Sequence, residues 1–584
     1  MSRPTPNQDI AESEHLKGLG NELYQKGEHD AAYHKYSEAI KKNPKNAVLY
    51  ANRAAVLLAT KQYLNALYDC EKAVQLDPTY SKAWGRLATA QHALASYPQA
   101  VEAWDQALST LPATDRTPAQ DAMELQFIQG LKKSYRAVQG PVESNISVLK
   151  KDELEEGLLP WDMARKLKAR KEAEGKPSCV PMINAANEEL EEAIELLSLV
   201  QRKKSPQGLE MVRGPVKVLE WFTNSTLSDD RIFHVKEGAQ SWMMRMEKQC
   251  HYENTHWKGW GESGGPSLIK GEALKMLKKE GWNGVRPALA ITVRIWIFLA
   301  HFRAKMFGQR DFAHEFYTNA LDVLEWGRKT WPNAATHERG VIFEKTFIRG
   351  VKKLALENMH GIVATKKKDA PISLQELIEA AQELSEDFRT NPPASGAHTA
   401  PTILSFWYYP NATAQSILGW CYLEQALGVY PHNPEDPNTP PSPAEKESLL
   451  TTAAECYLTA ARYIPPDDEL HMQFLRKHLE CLCARRRPLR ETLPVCQRMR
   501  ELGPDVMEIW ASGSLYGEGV KENLGEVVEF EALNIGECMA GRMTPDDVAV
   551  IGFMKGRKRN MVQVSIPDAE GKPEEDKTEI KAEK

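Results

Sequence analysis

The chain has 584 residues, of which 42% are hydrophobic and 26% are charged, and its formal net charge is -6. This composition is typical of a folded globular protein with several domains, and it excludes an intrinsically disordered chain. A net acidic chain also lacks the general basic character of a nucleic-acid-binding protein. We therefore expect no nucleic acid among its partners.

Three features of the sequence bear on its cellular compartment. The first 14 residues are polar and lack the apolar core of a secretory signal. The most apolar run, residues 288–302, contains Arg294 and indicates a buried helix rather than a membrane span. The nine cysteines are an odd number, scattered through helical segments, which favours free thiols in a reducing compartment. We expect a cytoplasmic protein without a membrane span.

Residues 1–12 are expected to form a disordered lead, and a repeat with a period of 34 residues begins at Ser13. Small residues and a proline recur at fixed positions in three units: Ala32, Ala66 and Ala100; Ala39, Ala73 and Ala107; Pro44, Pro78 and Pro112. This period, with small residues where two helices meet, is the signature of tetratricopeptide (TPR) repeats. Residues 118–138 have the spacing of a further helix, so we predict a TPR domain with a capping helix over 13–138.

The first helix of each repeat lines the concave groove, so its polar residues decide what the groove binds. Lys17 and Asn21 share one helix face, Asn52 lies in the second unit, and Lys82 and Arg86 share a face in the third. These side chains offer ammonium, guanidinium and carboxamide donors, with no acidic residue among the five. A peptide that ends in Asp would bring two carboxylates to such a groove. An ordinary solvated repeat surface is the alternative.

Residues 13–112 resemble the dicarboxylate-clamp TPR domain of heat-shock co-chaperones, and are especially similar to the small glutamine-rich TPR co-chaperones. The stretch LDPTYSKAWGRL, residues 76–87, is close to their pattern, and the family's Lys, Asn, Asn, Lys, Arg clamp falls on the five residues just named. The resemblance implies binding of the Glu-Glu-Val-Asp tails of the seventy- and ninety-kilodalton cytosolic chaperones. The family often has a charged residue where Ala59 stands, so the choice between the two chaperone classes stays open.

Tyr24 and Ala55 are the apolar residues of the predicted groove. Tyr24 shares the face of Lys17 and Asn21, and Ala55 lies one turn from Asn52. In the clamp interpretation they form the apolar wall beside the peptide residue that precedes the terminal Asp. The alternative is helix packing without a ligand role.

Residues 139–284 alternate apolar segments with chain breakers and predict a helical connector with flexible loops. Cys250, His251 and His256 lack the spacing of a four-ligand zinc site, so we predict neither a metal nor another cofactor. Residues 261–266 match the Gly-x-Ser-x-Gly pattern of a nucleophilic serine, but no strand pattern precedes them. We predict no catalytic residue in this region.

From residue 285 to 512 the repeat spacing returns in degenerate form. Gly308, Ala313, Tyr317 and Ala320 have the spacing of Gly27, Ala32, Tyr36 and Ala39, and Ala453, Tyr457 and Ala460 repeat part of it. We predict a second, irregular TPR-like array, with a helical bundle without repeats as the alternative. Residues 513–584 are expected to be a C-terminal segment that ends in a disordered charged tail.

The sequence therefore predicts an all-α protein: a three-repeat TPR superhelix with a capping helix, followed by a larger irregular TPR-like region. Its expected function is that of a non-enzymatic co-chaperone or adaptor, whose C-terminal region binds a client or second partner. One alternative is an enzyme that its TPR domain directs to chaperones, with an unrecognised C-terminal catalytic domain. Another is a scaffold for other acidic peptides.

Overall fold

The computed structural model describes most of the chain and confirms the predicted fold class. Within the described residues the protein is helical apart from one β-hairpin. A three-repeat array at the N-terminus is followed by a larger, irregular TPR-like helical region. The described residues are 6–94, 96–139, 156–204, 210–234, 239–261, 264–367, 370–432, 439–512 and 517–549.

The N-terminal array consists of antiparallel helix pairs in which each helix packs against the next. Small residues make this close packing possible, since Ala32, Ala66 and Ala100 are fully buried. The final helix, α7, contacts both α5 and α6 and covers the end of the third repeat. The helices are α1 (Pro6–Gln25), α2 (His29–Lys42), α3 (Ala47–Ala59), α4 (Tyr63–Leu76), α5 (Ser81–Ala93), α6 (Tyr97–Ser109) and α7 (Pro118–Gln139).

The first helix is longer than the repeat pattern predicts. It begins at Pro6, so most of the segment that we expected to be a disordered lead is helical. Ion pairs explain the extension, because the Lys42 ammonium at the end of α2 lies 3.3 Å from Asp9 and 2.6 Å from Glu12. Apolar periodicity does not report such polar contacts between helices.

The connector folds into further helices and a short hairpin. Its elements are α8 (Pro160–Glu174), α9 (Val180–Ser198), β1 (Gln201–Lys204), β2 (Glu210–Arg213), α10 (Val218–Ser228), α11 (Ala239–His256) and α12 (Pro266–Glu280). The two strands pair antiparallel, with Gln201 opposite Arg213. This hairpin was not predicted, since its strands are only four residues long and β1 contains no apolar residue.

The second array follows without interruption. Its helices are α13 (Trp282–Phe307), α14 (Arg310–Thr330), α15 (Thr336–Arg339), α16 (Lys345–Lys366), α17 (Leu374–Thr390), α18 (Ala400–Ile403), α19 (Tyr409–Ala426), α20 (Pro443–Tyr463), α21 (Glu469–Ala484), α22 (Leu489–Trp510) and α23 (Gly517–Met539). A 3₁₀ turn (Val341–Phe343) precedes α16, and a π-helical turn (Leu404–Tyr408) joins α18 to α19. The long helices pack pairwise in the order of the chain.

The second array repeats the internal contacts of the first. Tyr36 in α2 and Tyr317 in α14 are both 2% exposed. A Cβ added to Gly20 would lie 2.7 Å from the ring of Tyr36. The corresponding distance between Gly419 in α19 and Tyr457 in α20 is 3.0 Å. In both arrays a glycine therefore lets a tyrosine of the second helix approach the first helix closely.

Helix α13 contains the apolar run that we predicted to be buried. It is long and apolar enough to cross a membrane by length and composition, but 83% of its most apolar stretch is buried inside the protein. Trp296 at its centre is fully buried. This prediction is confirmed, because the helix forms the core of the second array.

The array extends beyond the predicted boundary at residue 512. Helix α23 packs against α22, and its Val527 and Phe530 side chains are 0% and 4% exposed. The C-terminal segment therefore adds a packed helix to the array. Its charged tail, which we predicted to be disordered, lies outside the described residues.

The connector occupies the inner face of the second array. Helix α10 packs against α13 and α16, which are first helices of successive pairs. Arg294 of α13 donates to the Asn224 side chain of α10 at 2.8 Å. Lys353 of α16 donates to Asp230, which follows α10, at 2.7 Å. The chain thus covers this face with its own residues.

Candidate functional site

The predicted clamp residues lie on the first helices of the three N-terminal repeats. Lys17 and Asn21 are on α1, Asn52 is on α3, and Lys82 and Arg86 are on α5. Helix α3 contacts both α1 and α5, so the three helices form one continuous surface. The structure brings Asn21, Asn52 and Arg86 into direct contact.

A chain of hydrogen bonds joins the two asparagines to the arginine. Asn21 Oδ1 accepts from the Tyr36 hydroxyl at 2.7 Å and from Asn52 Nδ2 at 3.2 Å. Asn52 Oδ1 accepts from an Arg86 guanidinium nitrogen at 3.3 Å. The same nitrogen donates to the Ala51 carbonyl at 2.5 Å. The network links all three repeats.

This network gives the groove a defined polarity. Both amide oxygens already accept hydrogen bonds, so Asn21 and Asn52 present N–H groups to a ligand. Burial raises the pKa of Tyr36, although Arg86 has the opposite effect, and the phenol stays a neutral donor at neutral pH. The asparagines are held in this orientation by Tyr36 and Arg86. The surface therefore favours a ligand that supplies acceptor oxygens only, such as a carboxylate.

The two lysines at the ends of the set differ in their surroundings. Lys17 is partly buried and forms an ion pair with Glu14, one turn earlier on α1. Lys82 is exposed and makes no ion pair or hydrogen bond with any residue that the structure describes. The Lys82 ammonium is thus unpaired in the described chain, whereas the Lys17 ammonium is already paired with Glu14.

The residues of the predicted apolar wall border this surface on α1 and α3. Tyr24 is 36% exposed, and its ring lies 5.5 Å from the ring of His29, centroid to centroid. Ala55 is partly buried. Their contact with a ligand stays a prediction.

Sequence reasoning did not assign site roles to Tyr36 and Glu14. Tyr36 was identified only as a packing residue of the repeat, and its hydroxyl proves to orient Asn21. Glu14 lies three residues before Lys17, which is the spacing of a helical ion pair. That spacing could have revealed Glu14, whereas no local pattern reports the contact between Tyr36 and Asn21.

The other motifs considered in the sequence do not form a site in the described part of the chain. Cys250 is buried on α11, whereas His251 and His256 of the same helix are exposed. No group of three His, Cys, Asp or Glu side chains there could hold a metal ion. The serine of the Gly-x-Ser-x-Gly match lies outside the described residues.

Comparisons with known proteins address the N-terminal array. A family model described as "TPR repeat" matches residues 20–61. Small glutamine-rich tetratricopeptide repeat-containing protein 2 of Saccharomyces cerevisiae is 34% identical over 140 residues, or 24% of this chain and 37% of the yeast protein. The N-terminal domain matches the small glutamine-rich TPR co-chaperones. This TPR domain also matches the heat-shock protein cognate co-chaperone sgt12 of Aspergillus fumigatus, at 34% identity over 136 residues.

The matched region is a limited part of each relative. The Aspergillus match covers 23% of this chain and 36% of that protein, so the chain spans little more than a third of either relative. Among solved structures, the first TPR of Spaghetti bound to the HSP90 peptide SRMEEVD is similar, at 27% identity. That likeness covers 22% of this chain and 96% of the other, with a TM-score of 0.20.

Proposed function

We propose that this chain is a non-enzymatic co-chaperone or adaptor whose N-terminal TPR groove binds the C-terminal Glu-Glu-Val-Asp tails of cytosolic seventy- and ninety-kilodalton chaperones. The observation that carries the proposal is a hydrogen-bond network. In it, the Tyr36 hydroxyl donates to the amide oxygen of Asn21, and the Arg86 guanidinium donates to the amide oxygen of Asn52. A groove rich in hydrogen-bond donors suits the two carboxylates of a terminal Asp. The relatives of the TPR domain include a protein named as a heat-shock cognate co-chaperone.

Each clamp residue has a role in this proposal. Lys17, Asn21 and Asn52 bind the terminal carboxylate, since they lie on the adjacent helices α1 and α3. Lys82 and Arg86 on α5 bind the side-chain carboxylate of the same Asp. Glu14 leaves Lys17 when the peptide arrives, and Tyr24 and Ala55 contact the preceding apolar residue.

The proposed function is cytoplasmic, because the chaperones concerned are cytosolic. The second array would then bind a client or second partner through its outer surfaces, since the connector already covers its inner face. No disulfide bond joins any pair of cysteines within the described chain, and the proposal needs none.

A peptide titration of the full chain tests the proposed function. The probe is a peptide that ends in Met-Glu-Glu-Val-Asp, compared with the same peptide amidated at its C-terminus. Loss of one charged hydrogen-bond partner costs about 1.5 to 3 kcal/mol, so amidation, Lys82→Ala and Arg86→Ala should each weaken binding about ten- to hundredfold. Lys41→Ala, an exposed lysine on the second helix of the first repeat, is the matched control and should bind normally.

Two results would overturn the proposal. The free-acid peptide would fail to bind, or it would bind as tightly when amidated. In the second case the N-terminal array would be a scaffold for other acidic peptides. Catalysis by the C-terminal region, as in a TPR-directed enzyme, would appear as phosphatase activity with added manganese.

A further inference from the structure

The second array contains a polar cavity at its junction with the connector. The cavity has a volume of about 270 Å³ and lies between α13, α14, α16 and the loop that follows α10. Its charged lining consists of Lys305, Arg310, Lys353, Arg231, Asp230 and Glu357, and Arg231 pairs with Asp229 and Asp468 outside the lining. A cavity of this size holds a small metabolite and is too small for a folded peptide.

The cations of this lining outnumber its carboxylates. Asp230 lies 2.7 Å from Lys353 and 2.8 Å from Lys305, and its side chain is only 5% exposed. Glu357 lies 3.6 Å from Lys353. Burial raises the pKa of Glu357, and the neighbouring Asp230 adds to this effect. In the described chain the two lining carboxylates pair with Lys305 and Lys353, and neither of them pairs with Arg310.

Arg310 supplies the surplus charge. Its guanidinium makes no ion pair or hydrogen bond with another residue of the described chain, although its backbone carbonyl accepts from Asn358 Nδ2 at 2.9 Å. Gly361 leaves room for this group, since a Cβ there would lie 2.3 Å from a guanidinium nitrogen of Arg310. The absence of a side chain at Gly361 thus lets the cation sit beside α16 at the cavity.

Two buried polar atoms of residues that line the cavity have no hydrogen-bond partner within the described part of the chain. They are His301 Nε2 and Asn358 Oδ1, on side chains of residues that are 4% and 3% exposed. Burial, together with the nearby Lys305, lowers the pKa of His301 to about 3, so its ring is neutral at neutral pH. Leaving such atoms without a partner costs free energy, which a bound polar molecule would recover.

The cavity is accessible from solvent. The Lys305 side chain is 49% exposed and that of Glu357 is 32% exposed, whereas Asp230 and Lys353 lie deeper. A small molecule can therefore reach Arg310 without unfolding of the array. Asp230 and Arg231, which follow α10 in the connector, also line the cavity.

We propose that this cavity is a binding site for a small molecule that carries a phosphate or carboxylate group. Arg310 and Lys305 bind the anionic group, and His301 and Asn358 bind its hydroxyl or amide groups. The site is separate from the N-terminal groove, and its existence does not depend on chaperone binding. Occupancy would join the connector loop to α13, α14 and α16.

Titration of the full chain with inorganic phosphate and, separately, with succinate tests this site at constant ionic strength. The chain carries Lys82→Ala and Arg86→Ala, which together weaken the N-terminal groove as a competing anion site. We expect a saturable rise in melting temperature with at least one probe, relative to sodium chloride. The probe that raises the melting temperature shows whether the site binds a phosphate or a carboxylate group.

Variants of Arg310 locate the effect. Arg310→Gln should weaken the binding of the protecting probe about tenfold or more, whereas Arg310→Lys keeps the charge and should retain most of the binding. Lys329→Gln, an exposed residue of the same helix, is the control and should leave binding unchanged. The proposal is overturned if neither probe raises the melting temperature more than sodium chloride does. It is also overturned if the Arg310→Gln variant binds the probe as tightly as the Lys329→Gln variant.

Discussion

The two arrays share one repeat geometry but use their inner faces in opposite ways. In the first array, Lys82 and Arg86 lie at an open groove whose hydrogen-bond acceptors are already engaged. In the second array, the connector covers the inner face, and the cations Arg231 and Lys353 form buried ion pairs with the chain itself. The same fold can therefore keep its charges for a ligand or use them to bind its own connector.

The largest expected effect comes from breaking a buried ion pair of the covered inner face. Arg231 lies 2.8 Å from Asp229 and 2.8 Å from Asp468, and it stacks on Trp510 at 4.5 Å. Arg231→Ala would leave both carboxylates buried without this partner. We expect a loss of about 3 to 5 kcal/mol in the free energy of unfolding, measured by denaturant titration.

An exposed pair of similar geometry provides the control for this prediction. Arg389 lies 2.6 Å from Glu386, with side chains that are 74% and 53% exposed. Arg389→Ala should change stability by no more than about 1 kcal/mol. Equal effects of the two substitutions would contradict the view that Arg231 holds the connector on the inner face.

The contact between the two arrays gives a prediction that is intermediate in size for each unit of pH. The Glu315 carboxylate on α14 accepts from the Leu64 backbone N–H at the start of α4, at 2.6 Å. Burial raises the pKa of Glu315 to about 8, although the hydrogen bonds from the Leu64 and Tyr63 backbone oppose this shift. The folded protein therefore keeps a proton that the unfolded chain releases near pH 4.5.

This raised pKa determines whether the free energy of unfolding rises or falls with pH. Stability should fall as pH rises from 4.5 towards 8, by up to about 1.4 kcal/mol per pH unit, and then level off. Glu315→Gln cannot ionise and should remove this contribution, so the variant gains stability relative to the wild type as pH rises. If the free energy of unfolding depended on pH in the same way in the wild type and in Glu315→Gln, the raised pKa of Glu315 would be refuted.

The smallest effect concerns the open groove. Glu14 pairs with Lys17, and the peptide must displace it, so Glu14→Gln should strengthen binding of the Met-Glu-Glu-Val-Asp peptide. A partly exposed pair contributes about 0.2 to 1 kcal/mol, which corresponds to at most about a fivefold gain in affinity. Glu38→Gln removes the exposed pair with Lys35 on α2 and should leave affinity unchanged. Weaker binding by Glu14→Gln would mean that Glu14 helps to orient Lys17.

Sequence reasoning predicts the features that repeat and misses those that depend on distant contacts. The spacing of Gly27, Ala32, Tyr36 and Ala39 reports close packing within one unit, and it identified both arrays. The repeat spacing also placed the five clamp residues on first helices, and their binding of a ligand stays a prediction. The hydrogen bond from Tyr36 to Asn21, and the path of the connector across α13 and α16, join segments far apart in the chain. Local periodicity carries no information about such contacts.

Hydrogen exchange of the full chain, with and without the Met-Glu-Glu-Val-Asp peptide, tests the contrast between the two arrays most directly. We expect slower exchange in α1, α3 and α5, no change in α13, α16 and α19, and no protection of the Arg86→Ala variant at a peptide concentration that just saturates the wild type. Protection in the second array, or protection of the first array that survives Arg86→Ala at that concentration, would contradict this contrast.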